Sequence, residues 1–133
     1  MIYFQKLDPR AAATVVEPHK LALGAFSPDR EGRTRSVLVP PKGGKFVSTK
    51  IRIVGQLIDP YITTPQDLLQ EYVHAAGYYV EPDGELSIYL VSTYHDAIYL
   101  RHGQAVAILS LGTEEWEEAN GTPAAEHPPV VRS

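Results

Sequence analysis

Three carboxylates crowd into one short stretch, Glu81-Pro82-Asp83-Gly84-Glu85, directly after Tyr78-Tyr79-Val80. Two acids this close have two readings. As an acid–base pair, Glu81 and Asp83 hold and deprotonate a water; as turn chemistry, Pro82-Asp83-Gly84 closes a hairpin. A second cluster is basic: Arg30, Arg33 and Arg35, followed by Lys42 and Lys45. Guanidinium forks suit phosphate oxygens or an acidic partner, and they equally suit a solvated loop. The third feature is Trp116, set among Glu114, Glu115, Glu117 and Glu118, where an aromatic ring can anchor a partner or a neighbouring subunit.

Other chemistries find no footing. The chain has no cysteine, which excludes disulfides, thiolate nucleophiles and cysteine-ligated zinc. Its five histidines, at 19, 74, 95, 102 and 127, lack ligand spacing, so no metal site is expected. No serine sits in a G-x-S-x-G elbow. Pro40-Pro41-Lys42-Gly43-Gly44-Lys45 lacks the phosphate-loop spacing and precedes a strand pattern, so it reads as a tight hairpin turn.

Composition sets the frame for these residues. A chain of 133 residues, 44% hydrophobic and 21% charged, is expected to be one packed domain. A net charge of −4 gives no general attraction to nucleic acid or anionic membrane. No apolar run reaches the length of a spanning helix and the start lacks a secretory pattern, so a soluble, intracellular, cytoplasmic protein is expected.

The elements that must position the candidates are mostly strands. Residues 45–54 alternate, with Val47, Thr49, Ile51 and Ile53 on one face and Ser48, Lys50 and Arg52 on the other. Leu86, Ile88 and Leu90 repeat that pattern after Gly84, and short strands are expected near residues 2–7, 36–39, 97–100 and 105–111. One helix is predicted at about 65–76: Thr64 as cap, Pro65 in the first turn, an apolar stripe of Leu68, Leu69, Tyr72, Val73 and Ala76, then Gly77. Residues 1–112 form the predicted β domain, and 113–133 an acidic, then Pro-rich tail.

In order, these segments resemble the trimeric dUTPase superfamily. "LVPPKGGKFVSTKIRI" (38–53) is similar to that family's apolar strand, Pro-Gly turn and Ile-Arg-Ile strand. "GYYVEPDGELSIYLV" (77–91) stands where the family has its nucleotide-site hairpin, and "YLRHGQAVAILSL" (99–111) is similar to its Arg-Gly-Asp-Arg-Ile-Ala-Gln-Leu strand. The resemblance implies an all-β, dUTPase-like barrel or jelly roll and a homotrimer with exchanged C-terminal segments. The family's catalytic pattern is not carried over. Tyr79 stands about where the water-activating Asp belongs, Pro82 where the sugar-stacking Tyr belongs, and Thr64-Pro65-Gln66-Asp67 where a phosphate-binding Pro-Arg-Ser-Ser belongs. The hairpin also resembles that of the adenovirus early-region-four first-open-reading-frame proteins, dUTPase-like chains without the catalytic residues that bind cellular proteins.

Three functions stay open. The first is a non-catalytic binding or regulatory protein without cofactor, acting through Tyr78, Tyr79, Trp116 and the basic loop on a protein partner. The second is a divergent Mg²⁺-dependent pyrophosphatase of dUTP or another nucleoside triphosphate, with Glu81 or Asp83 holding the water and Arg35 or Lys42 the phosphates. The third is a structural β-barrel component of a virion.

Overall fold

The computed structural model describes residues 2–17, 19–26, 36–57, 60–66, 68, 72–111 and 116–118. Within them the chain is all-β. The largest sheet has five strands: β1 (Ile2–Lys6), β5 (Gly44–Val54), β7 (Val73–Val80), β8 (Glu85–Ser92) and β11 (Trp116–Glu118), in the order β11-β1-β5-β8-β7. A second sheet joins β2 (Ala13–Glu17), β3 (Lys20–Gly24), β6 (Tyr61–Thr63) and β10 (Ala105–Ser110) in the order β2-β3-β10-β6. The smallest pairs β4 (Val37–Val39) with β9 (Ile98–Leu100).

Alternation decides which residues go inside. Phe4, Ile51, Leu86, Ile88 and Leu90 from the first sheet meet Leu21, Leu23 and Leu109 from the second and Val39 and Leu100 from the third, in one core. All are essentially excluded from water, which supplies the main drive to fold. Thr49 joins them fully buried. Its hydroxyl donates to the Leu86 carbonyl at 2.7 Å and accepts from the Ile51 N–H at 3.3 Å, as a buried hydroxyl requires. Here the β5–β8 register shifts between Ser48 and Arg52, and Lys50 takes a left-handed φ of 51°.

Three expectations change. The helix predicted at 65–76 does not run to its expected end: Val73–Ala76 belong to β7, where Val73, His74 and Ala75 pair with β8 and Ala76 falls at a register shift, while residues 67 and 69–71 lie outside the described residues. The Thr64 hydroxyl accepts the N–H of Ala75 at 3.0 Å, which ties this segment to β7. A single turn, closed by the Leu68 N–H on the Pro65 carbonyl, drops Leu68 into the core instead. A short helix nucleates poorly alone, whereas Val73, Tyr78, Tyr79 and Val80 fit a pleated surface that β8 rewards with hydrogen bonds.

The described strands also make three separate sheets, not a closed barrel. Finally, the turn at Pro40–Gly43 closes no hairpin. β4 pairs with β9 and β5 with β8, so the turn carries the chain from one sheet to another.

Candidate binding face of the hairpin sheet

The tip of the β7–β8 hairpin gives each acid a different task. Asp83 Oδ1 accepts the N–H of Glu85 at 2.9 Å, an Asx-type turn bond. The Gly84 N–H donates to the Glu81 carbonyl at 2.7 Å, and the Glu81 N–H donates to the Glu85 carbonyl at 2.8 Å. Gly84, at φ 94°, lies so close to β5 that an added Cβ would sit 2.8 Å from the Ile53 carbonyl oxygen, which makes glycine necessary there. Its own carbonyl accepts the Ile53 N–H at 2.9 Å. Glu85 is held from below: the Ser48 hydroxyl donates to it at 2.6 Å, and Lys50 Nζ lies 3.4 Å away. Asp83 and Glu85 therefore serve the hairpin. The Glu81 carboxylate has no ion-pair or hydrogen-bond partner among the described residues.

Above the tip, the outer face of the same sheet is aromatic. Phe46 on β5 is the register partner of Tyr89 on β8, which is the partner of Gly77 on β7. The Phe46 and Tyr89 centroids lie 4.7 Å apart, and Tyr79 meets Phe46 edge-on at 6.4 Å. Two glycines shape this surface. A Cβ on Gly44 would fall inside the Tyr89 phenol, whereas one on Gly77 would meet nothing within 4 Å, so an open slot flanks the Tyr89 ring. Phe46 and Tyr79 stay about half exposed, at 57% and 49%. With Glu81 they line a cavity of about 340 Å³, and a recess lined by Glu81, Pro82, Asp83 and Glu85 adjoins it along the hairpin tip. Tyr78 is paired with Ile88 and belongs to the other side of β7.

A second cluster, beside the middle of β5 where the Phe26 N–H donates to the Ser48 carbonyl at 3.0 Å, shows the same chemistry already filled. Arg10 and Lys50 each place their charge 5.9 Å from the centre of the Phe26 ring, and His102 meets that ring edge-on at 5.5 Å. Arg10 Nε and Nη2 donate to both oxygens of Asp8, at 3.1 and 2.9 Å. That fork, with the Arg10 backbone N–H at 2.9 Å, pulls the Asp8 carboxyl down to about 2.

The other candidates are dispersed. Arg30, Arg33 and Arg35 lie outside the described residues. Lys42 occupies an exposed turn at φ 50°, its N–H donating to the Tyr94 carbonyl at 3.0 Å. Lys45 lines a separate cavity of about 280 Å³ with Phe26, Val37, Leu38 and Phe46. The backbone of Trp116 pairs in parallel with Ile2 of β1, within the same chain. No group of three or more His, Asp or Glu gathers among the described residues, so they offer no protein cage for Mg²⁺. Among those residues no helix is long and apolar enough to cross a membrane.

Phe46 and Tyr89 were not among the residues singled out from the sequence. Their signal is there in the alternation. Each stands on the polar side of its strand, with Ser48 and Lys50 in one case and Glu85 and Ser87 in the other. Large rings at solvent positions of neighbouring strands mark a surface patch.

No protein-family model matches the chain, and no curated protein sequence does. Among solved structures, the native dUTPase of EIAV is similar, with a TM-score of 0.57 over 86% of this chain and 92% of that one. Identity is 17%, so the likeness is one of fold: the chain has a dUTPase-like fold.

Proposed function

We propose that this chain is a non-catalytic binding protein on the dUTPase-like fold, acting through protein–protein contacts of the hairpin sheet. One observation carries the reading. At the place where the resembled family keeps its nucleotide-site hairpin, Asp83 and Glu85 hold the turn, and the surface beside them is the Phe46–Tyr79–Tyr89 aromatic face. Tyr79 stands about where a water-activating Asp would be needed. A phenol is a poor general base compared with a carboxylate. A homotrimer is part of the proposal, on the strength of the same resemblance.

The fold match to a dUTPase favours a second reading, a divergent Mg²⁺-dependent pyrophosphatase. There Glu81, whose carboxylate is unpartnered among the described residues, would hold the attacking water. Any Mg²⁺ would be carried chiefly by the phosphates, as suits an ion that keeps several waters. Purified chain with dUTP and Mg²⁺ decides between the readings. No release of pyrophosphate is expected; turnover that Glu81→Gln abolishes would overturn the first reading in favour of the second. Light scattering should give a mass near three times 14.7 kDa, and a monomer would remove the trimer from the proposal.

A further inference from the structure

The aromatic face has a chemistry of its own, and it points to one kind of occupant. We infer that Phe46, Tyr79 and Glu81 receive a cationic side chain, Arg or Lys, presented by a basic segment of the protein partner. The inference rests on the non-catalytic binding reading and adds the partner's chemistry to it.

Three features select a cation. The cavity is lined by two half-exposed aromatic residues and an acidic one, a combination that suits a guanidinium or an ammonium. The carboxylate is unengaged among the described residues, and the charge–ring contacts found there both fall on Phe26, leaving these rings without a cation of their own. Asp83 adds a second carboxylate beside Glu81 along the adjoining recess of the tip, which favours a cation there.

Geometry then selects a long side chain over a small ion. The slot over Gly77 extends the aromatic surface beside Tyr89, away from Glu81. The methylene stem of Arg or Lys covers ring surface while its charge reaches the carboxylate. The molecule makes this same contact internally, where Arg10 and Lys50 lie over Phe26 with Asp8 and Glu85 as their counter-ions.

The test uses the full chain, ¹⁵N-labelled, and three capped pentapeptides, Gly-Gly-Xaa-Gly-Gly, with Xaa arginine, lysine or citrulline. Arginine and lysine peptides should shift the amides around Phe46, Tyr79 and Glu81. The citrulline peptide, of similar shape but uncharged, should bind on the order of tenfold more weakly. Glu81→Gln, and separately the pair Phe46→Leu and Tyr79→Leu, should each weaken arginine binding severalfold; the first should leave the melting temperature nearly unchanged, and the second, which also removes the ring contacts of Phe46, should keep a single cooperative melt. Equal response to citrulline, shifts centred elsewhere, or unaltered binding by the variants would overturn the inference. A dUTP assay on the same sample separates the two levels. Absence of both turnover and arginine binding overturns this inference alone, whereas turnover overturns the non-catalytic reading whichever peptide binds.

Discussion

Phe26 and Phe46 are two answers to one physical problem, a large ring left beside solvent on a sheet protein. Phe26 is covered by the chain itself: Arg10 and Lys50 reach its ring, His102 meets its edge, and Asp8 and Glu85 balance the charges. Phe46 is flanked by the Tyr79 and Tyr89 rings, with Glu81 lining the same cavity and no cation over its ring among the described residues. The first arrangement is closed and ties β5 to the loops around it. The second is open, and an open site of the same composition is a site for something else. Lys50 links the two regions, since it pairs with Glu85 at the hairpin tip and also lies over Phe26.

That contrast can be broken at graded cost. The largest effect is expected at Gly84, which anchors the tip to β5. Gly84→Val combines a left-handed φ with a collision against the Ile53 carbonyl, and should lower stability by about 2–3 kcal/mol. Urea denaturation reads that loss, and an unchanged midpoint would mean the tip is not clamped as described.

Ser48→Ala comes next. It removes the hydroxyl donated to Glu85 at 2.6 Å and should cost about 1 kcal/mol, with Lys50 left as the only support of that carboxylate among the described residues.

The Asp8–Arg10 fork is smaller and pH-dependent. Because folding lowers the Asp8 pKa from 3.8 to about 2, its stabilisation is complete above pH 3.8 and lost as pH falls towards 2. The pair is partly exposed and solvent screens it, so the effect is on the order of 0.5 kcal/mol. Melting curves of the parent and of Asp8→Asn should differ at pH 6 and converge near pH 2.

The smallest effect falls on the open side. Glu81→Gln removes an unpartnered surface charge and should move the melting temperature by no more than the scatter of surface substitutions, about 0.5 kcal/mol. A large loss there would mean that Glu81 is structural, as Glu85 is.

The sequence exposes the strand skeleton better than the site. Alternation in 45–54 and 85–90 identifies the central strands, and Pro82-Asp83-Gly84 marks their turn, because period two and turn chemistry are local signals. The β2–β3 hairpin is less legible. Its turn passes through His19 at φ 66°, a left-handed residue without the usual Asn-Gly signature. The far end of the helix expected at 65–76 is strand for the converse reason. Its apolar stripe is a real local preference, but Val73, His74 and Ala75 find partners on β8 instead. The aromatic face shows only when three strands are set side by side, since Phe46, Tyr79 and Tyr89 are far apart in the chain and meet through register. The separation of tasks among Glu81, Asp83 and Glu85 is likewise tertiary, for it depends on Ser48 and Lys50 arriving beneath the turn.

The most direct measurement sets the two ligand classes against each other on one sample of intact chain. Calorimetric titration with the capped arginine peptide, and then with Mg²⁺–dUTP, reports which of them the hairpin sheet accepts. The account predicts saturable heat from the peptide, abolished by Phe46→Leu with Tyr79→Leu, and neither binding heat nor pyrophosphate from dUTP. Saturable heat from dUTP with release of pyrophosphate, and none from the peptide, would contradict it.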